Sequence, residues 1–304
     1  MTARKALPAL LVALLALAFA SPALAQKSKA PTAPTNLRVT AVGDASVSLA
    51  WDASRSSAST WWYCVQSSGV GCIRVDPPQT TLTRPAWPGQ TYTYTVVALD
   101  KNGNRSAPSN AVTVTIPPDT TAPTAPALSV TSVLPIRTSL AWTVSTDNVS
   151  QVFYTLLVDG SPYFSGLIGA LSRTVLYLEP GSTHTYQVLA RDSFGNTAES
   201  NVVTVTQPAA NDATPPGAPG NLRFSSETSI PELWLDWDAA VDNADPPGQL
   251  MYEVFVNGVR VSSAIGYDED IVYCLDTGSN AIRVRAVDTS GNAGPFSNEI
   301  VLIC

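Results

Sequence analysis

A single histidine, His184, serves the whole 304-residue chain, so any mechanism that needs an imidazole must run through it. No Gly-x-Ser-x-Gly turn occurs, and no serine has a histidine and an aspartate placed to suggest a triad. Carboxylates remain, and glycoside hydrolysis needs two of them flanking one bond. Asp236 and Asp238 flank Trp237 and therefore face the same side of a strand; Asp147 with Asp192, and Asp242 with Asp288, are the other candidate pairs. Turn chemistry accounts for these residues without catalysis, because Asp and Asn close tight turns and Gly supplies positive φ. The reading is therefore of a non-enzyme with no catalytic residue, no cofactor and no metal ligand. A weak calcium site is the competing use of the loop carboxylates.

The aromatic residues are in surplus. Trp61-Trp62-Tyr63 places three rings in a row, and three consecutive side chains on a strand cannot all point inward. Trp87 stands on a loop before Pro88. An exposed indole can stack on the apolar face of a sugar ring or anchor a protein contact, which makes Trp61, Trp62 and Trp87 the candidate binding residues. The competing reading packs Trp62 over a neighbouring hairpin or an adjoining unit. Four cysteines, Cys64, Cys72, Cys274 and Cys304, complete the reactive set, with three formal pairings. Two separated pairs with no histidine nearby make poor metal ligands. Between Cys64 and Cys72 lie Ser67, Ser68, Gly69 and Gly71, a turn that lets two strands bring the sulfurs together.

Composition sets what can hold these groups. Apolar residues make up 45% and charged residues 13%, with 18 Gly and 24 Pro, so packed cores form and neither a disordered nor a collagen-like chain fits. Residues 1–25 read as a signal peptide: Arg4 and Lys5, an apolar run from Ala6 to Ala20, Ser21-Pro22, then Ala23-Leu24-Ala25 before a cut at Gln26. No second long apolar run follows, so the expectation is a secreted protein, extracellular or periplasmic, that does not insert into a membrane once the signal is cut. Without the signal the balance is 15 basic against 24 acidic residues, a net charge of -9, which argues against nucleic acid or anionic lipid as a partner.

The remainder repeats three times. Trp51, Trp142 and Trp237 recur at offsets of 91 and 95 residues, each inside an apolar/polar alternation. Strands opened by Tyr63, Tyr154 and Tyr252 follow. Asp-x-x-Gly-Asn hairpins starting at Asp100, Asp192 and Asp288 close each third, at offsets of 92 and 96. Such constant offsets mean duplicated domains. Within each, short runs rich in Val, Thr and Tyr alternate with Gly, Pro, Asn and Asp, and residues two apart share a face: Val47, Leu49 and Trp51, or Tyr92, Tyr94, Val96 and Ala98. About seven such strands in roughly 90 residues predict an all-β, two-sheet antiparallel sandwich with no helix.

These units resemble fibronectin type III domains. The marks are the Pro-rich starts (Ala33-Pro34-Thr35-Asn36-Leu37, Ala125-Pro126, Pro215-Pro216-Gly217-Ala218-Pro219), the Trp in the second strand, and the segment before the sixth strand. That segment is Trp87-Pro88-Gly89-Gln90-Thr91-Tyr92 in the first unit and Glu179-Pro180-Gly181-Ser182-Thr183-His184 in the second. The resemblance implies three tandem immunoglobulin-like sandwiches, at 31–116, 121–207 and 214–304, in an elongated array with Pro-stiffened linkers. It also implies a corner tyrosine whose hydroxyl ties the chain to nearby backbone; Tyr92 fits, whereas His184 and Asn280 or Ala281 stand there in the other units. In such a sandwich Cys274 and Cys304 end strands at one pole and are expected to form a second disulfide beside Cys64–Cys72. The resemblance implies a secreted binding or spacer protein whose partner is an extracellular protein. The alternative is a polysaccharide-binding accessory, because domains of this kind accompany extracellular bacterial polysaccharide-degrading enzymes.

Overall fold

The computed structural model describes residues 29–55, 60–68, 70–167, 169–225, 233–266, 269–272 and 278–303. The expected signal segment and the expected Cys274–Cys304 bond lie outside them. All the regular structure described is β apart from one three-residue 3-10 turn, Pro247–Gln249. No helix among the described residues is long and apolar enough to cross a membrane.

The strands form three pairs of antiparallel sheets. In the first pair, β1 (Thr35–Gly43), β2 (Ser46–Asp52) and β5 (Thr81–Pro85) make one sheet. Facing it are β4 (Val70–Val75), β3 (Thr60–Ser67), β6 (Thr91–Asp100) and β7 (Val112–Thr115). The second pair sets β8 (Leu128–Leu134), β9 (Arg137–Trp142) and β12 (Ser172–Leu176) against β11 (Ser161–Leu167), β10 (Phe153–Val158) and β13 (Thr183–Arg191). Two short strands, β14 (Thr197–Glu199) and β15 (Val203–Thr206), both pair with β13. The third repeats the second: β16 (Gly220–Phe224), β17 (Leu233–Asp238) and β20 (Glu269–Val272) face β19 (Val259–Ile265), β18 (Met251–Val256) and β21 (Ser279–Val287). There β22 (Ala293–Phe296) and β23 (Ile300–Ile303) both pair with β21.

A Trp and a Tyr sit at the centre of each core. Trp51, Trp142 and Trp237 are buried, and each packs against a tyrosine near the start of the next strand, which belongs to the other sheet: Tyr63, Tyr154 or Tyr252, with ring centroids 5.5, 5.9 and 5.6 Å apart. Such pairs add about 0.5–1.5 kcal/mol beyond area burial. Each tyrosine hydroxyl accepts a backbone N–H of the loop between the two strands: Ser54 at 3.1 Å, Ser145 at 2.6 Å and Ala240 at 2.9 Å. The loop is therefore positioned by the core beneath it.

The two sheets are also stitched at one edge. Asn110, Asn201 and Asn298 each accept the N–H and bond the C=O of a first-strand leucine, Leu37, Leu128 or Leu222, at 2.8–3.0 Å. The serine before each, Ser109, Ser200 or Ser297, accepts an amide of the sixth strand instead. In the second and third sandwiches this excursion to the opposite sheet is where the expected single last strand breaks into two.

The described residues divide into two units, one ending at Pro118 and the other beginning at Asp119. The second unit holds two sandwiches, and Ile136, Met251 and Val287 form a buried cluster that they share, with Leu176 and Ile265 half-buried around it.

Candidate binding surfaces

Trp61 and Trp62 lie at the start of β3. A register shift between Thr60 and Trp62 interrupts the pairing of β3 with β6, and Trp61 stands 53% exposed although Tyr63, two residues on, is buried. Trp62 is half-buried, because Arg74 of the adjacent β4 reaches across it. The guanidinium carbon lies 5.3 Å from the Trp61 ring centre and 5.6 Å from that of Trp62, while Arg74 Nε donates to Asp76 at 2.7 Å. Cation–π attraction of this kind fixes the ring orientation. The Cys64–Cys72 bond is present, with Cα atoms 5.3 Å apart, and ties β3 to β4 just beyond.

Trp87 is 68% exposed on the loop after β5. Its amide N–H donates to the Tyr92 hydroxyl at 3.0 Å, which is the expected corner tie. Trp61 and Trp87 do not share a surface. Thr60 pairs with Asp100 at one end of β6, whereas Trp87 precedes the other end at Thr91. At about 3.4 Å per residue the two rings are separated by roughly 25–30 Å of sandwich.

Where the corner tyrosine is replaced, other polar pairs close the corner. His184 Nδ1 meets Asp159 Oδ2 at 2.7 Å and its Nε2 meets Ser182 Oγ at 2.8 Å, so the only imidazole is fully engaged in structure. The His184 contact, with the Thr185 amide behind it, holds the Asp159 carboxyl below the usual carboxylate range. In the third sandwich Asn280 is buried, and its Oδ1 accepts from Asn257 Nδ2 at 3.0 Å. Asp159 and Asn257 are the first residues of Asp-Gly and Asn-Gly hairpins, with φ of 50° at each and 76° and 80° at the glycines that follow, as a two-residue type I′ turn requires.

The carboxylate pairs are divided by the structure. Asp236 and Asp238 share a face of β17, but both are engaged by Arg223 of the neighbouring strand, at 3.8 and 3.5 Å. Asp147 and Asp192 do come together, as do Asp242 and Asp288, and each pair is joined by an aspartate of the preceding linker, Asp119 or Asp212. Asp192 and Asp288 are buried at the mouths of their turns. Burial alone would push the Asp192 carboxyl up, yet the Asn196 side chain and the amides of Asn196, Phe194 and Gly195 hold it below the usual range. The linker aspartates escaped the sequence reading because their segments carry so much proline; their signal is that each stands six residues before an Ala-Pro, at Ala125 and Ala218.

Glu253 escaped it as well. It alternates with Tyr252 and Val254 of the core, which puts it on the face that alternation gives to water, but it is 1% exposed. Arg260 and Arg285 bond its two oxygens at 2.8 and 2.7 Å, and Arg260 lies 4.0 Å from the ring centre of Tyr177 of the second sandwich. Burial raises the Glu253 carboxyl, but the two guanidinium groups and Tyr177 outweigh it and leave it ionised below its ordinary value.

Residues 32–115 match the family model described as "Fibronectin type III domain". Exoglucanase B of Cellulomonas fimi is 33% identical over 286 residues, 88% of this chain and 25% of the relative. Chitinase A1 of Niallia circulans is 38% identical over 194 residues, covering 62% of this chain and 27% of its own length. The chain thus spans about a quarter of the length of these two curated relatives. Among solved structures, the central fibronectin-III array of RIM-binding protein aligns over 90% of this chain and 97% of its own, at 14% identity and a TM-score of 0.26.

Proposed function

This chain is a tandem of fibronectin type III modules, and we propose that it works outside the cytoplasm as a non-catalytic spacer and binding array in a polysaccharide-degrading setting. The observation that carries this reading is the extent of the match to Exoglucanase B: nearly the whole chain corresponds to one quarter of that glucanase. The chemistry of the described residues supports it. The lone histidine is bound into a corner, the strand carboxylates are paired with Arg223, and the cores are filled by Trp and Tyr. Its partner is an extracellular protein or polysaccharide.

A second reading has its own support. Trp61, more exposed than the Trp62 beside it and steadied by Arg74, offers an indole face of the kind that stacks on a sugar ring. One experiment separates the readings. The purified protein is run through native gels cast with hydroxyethylcellulose or glycol chitin, and the same samples are assayed for new reducing ends. The spacer array releases none and migrates as in a blank gel. Retardation that Trp61→Ala removes, with an unchanged circular dichroism spectrum, makes it a polysaccharide binder. Release of reducing ends that Asp236→Asn removes overturns the non-catalytic reading altogether.

A further inference from the structure

The six aspartates at the heads of the second and third sandwiches carry an inference that does not depend on any glycan. In each cluster one carboxylate oxygen from each of three residues, Asp119, Asp147 and Asp192 or Asp212, Asp242 and Asp288, lies within 4.8 Å of the other two. The two are built alike. The hairpin aspartate spends both oxygens on its own turn: Asp192 accepts from Asn196 N and Nδ2 at 2.9 and 2.7 Å, Asp288 from Asn292 N and Nδ2 at 2.8 and 2.7 Å. The same asparagine then donates to the backbone carbonyl of the linker aspartate, Asp119 at 3.3 Å or Asp212 at 3.0 Å, and brings it to the turn.

Each of the four remaining carboxylates leaves one oxygen without a hydrogen bond, although the Asn243 side chain also lies against Asp212. Asp119 accepts from Thr121 N and Asp212 from Thr214 N; Asp147 accepts from Val149 and Ser150 N, Asp242 from Ala244 and Asp245 N. Their other oxygens, Asp119 Oδ2, Asp147 Oδ1, Asp212 Oδ2 and Asp242 Oδ2, have less than 1 Å² of accessible surface and no hydrogen-bond partner. A buried carboxylate oxygen that neither water nor a donor reaches is costly. Here two occur together beside a third buried carboxylate, in both modules, at the same three places of the fold. Tight-turn chemistry explains the bonded oxygens and leaves the orphaned ones unexplained.

We infer that each cluster is a calcium site, so that the chain takes up two calcium ions, one at the head of each of its last two sandwiches. The donors are all hard oxygens with no imidazole or thiolate, the set that suits calcium over zinc or copper. The ion gives the orphaned oxygens their partner and neutralises charges that otherwise repel. It also pins each linker to the loops of the sandwich that follows it. The first sandwich supplies an internal control. It keeps the hairpin aspartate, Asp100, but the sequence carries Ser56 five residues after Trp51, where Asp147 and Asp242 stand five after Trp142 and Trp237, and Lys27 six residues before its Ala-Pro.

Calcium chloride titrated calorimetrically into the chelator-treated full chain tests this, with thermal melts in zero and ~5 mM calcium, a concentration above the sub-millimolar to millimolar dissociation constants of extracellular calcium modules. Two ions are expected to bind per chain, one after Asp147→Asn or Asp242→Asn, and none after both, with a calcium-dependent rise in melting temperature that the double variant loses. Without calcium the double variant should melt no lower than the parent, since Asn keeps the bonded oxygen and removes a like charge. Should that double variant fail to fold, Asp119→Asn with Asp212→Asn must abolish binding in its place. Absence of calcium-dependent heat and melting shift in the folded parent, or two ions still bound by the double variant, overturns the inference. An equal shift with magnesium overturns the assignment to calcium.

Discussion

In the first sandwich the β3–β4 hairpin is held by the Cys64–Cys72 bond, whereas the equivalent hairpins of the second and third turn through Asp159-Gly160 and Asn257-Gly258. The corner of the first is tied by the Tyr92 hydroxyl, and those of the others by His184 with Asp159 and Asn280 with Asn257. At the opposite pole, where Thr60 pairs with Asp100, the first sandwich carries the exposed Trp61; the other two carry three converging carboxylates there. Beneath these differences the Trp–Tyr core and the Asn clamp are the same three times. The core sets where loops must be tied. It leaves open which chemistry ties them, and that freedom lets one module present an indole and its neighbours an anionic cluster.

The largest expected effect separates the covalent hairpin from the turn-closed ones. Replacing Cys64 and Cys72 by serine opens a loop whose closure contributes about 2.5 kcal/mol on chain-entropy grounds. Hydrogen exchange followed by mass spectrometry should show β3 and β4 losing protection while β10–β11 and β18–β19 keep theirs. Equal protection before and after would mean that the first hairpin, like the others, is closed by its turn and its pairing alone.

Next come the corners. Asn280→Ala removes a buried amide and strips Asn257 Nδ2 of its acceptor, for an expected loss of about 1–3 kcal/mol. Tyr92→Phe removes one hydroxyl from a partly exposed corner and leaves only the Trp87 amide unpaired, for about 1 kcal/mol. Denaturant unfolding of the two variants ranks them. A larger loss for Tyr92→Phe would make the tyrosine tie the stronger device, and the replacements in the later sandwiches compromises.

Alternation and offset made much of this readable. The buried Trp51, Trp142 and Trp237, the tyrosines that meet them and the Cys64–Cys72 bond all follow from residues two apart on a strand or from a glycine-rich turn between strands. What stayed hidden depends on things without a period. The register shift at Trp61 turns out the ring that strict alternation would bury. Glu253 sits on a face that alternation assigns to water and is dry because Arg260, Arg285 and Tyr177 cover it, one of them from another sandwich. The carboxylate clusters were half visible: the sequence offers Asp147 with Asp192 and Asp242 with Asp288 as pairs, and the third member of each lies in a linker that proline content marks only as a spacer.

The smallest expected effect compares two corners that differ by one functional group. Asp159 Oδ1 accepts the Thr185 amide at 2.8 Å in the second sandwich, and Asn257 Oδ1 accepts the Ala281 amide at 2.8 Å in the third. The geometry is the same, but only the first acceptor titrates. His184 and the Thr185 amide lower the Asp159 carboxyl in the folded protein, so its contribution is present above the unfolded value, about 3.9, and is lost as pH falls through the lower folded value. Asp159 is half exposed, and solvent screening keeps the effect well below 1 kcal/mol. Amide exchange of Thr185, corrected for its intrinsic pH dependence, should therefore quicken below about pH 4, while Ala281 stays protected. The C2 proton of the one histidine should shift over the same range, because its partner is losing charge. If Ala281 loosened in step with Thr185, acid would be opening the modules as wholes, and the exchange of carboxylate for amide at this corner would be without consequence.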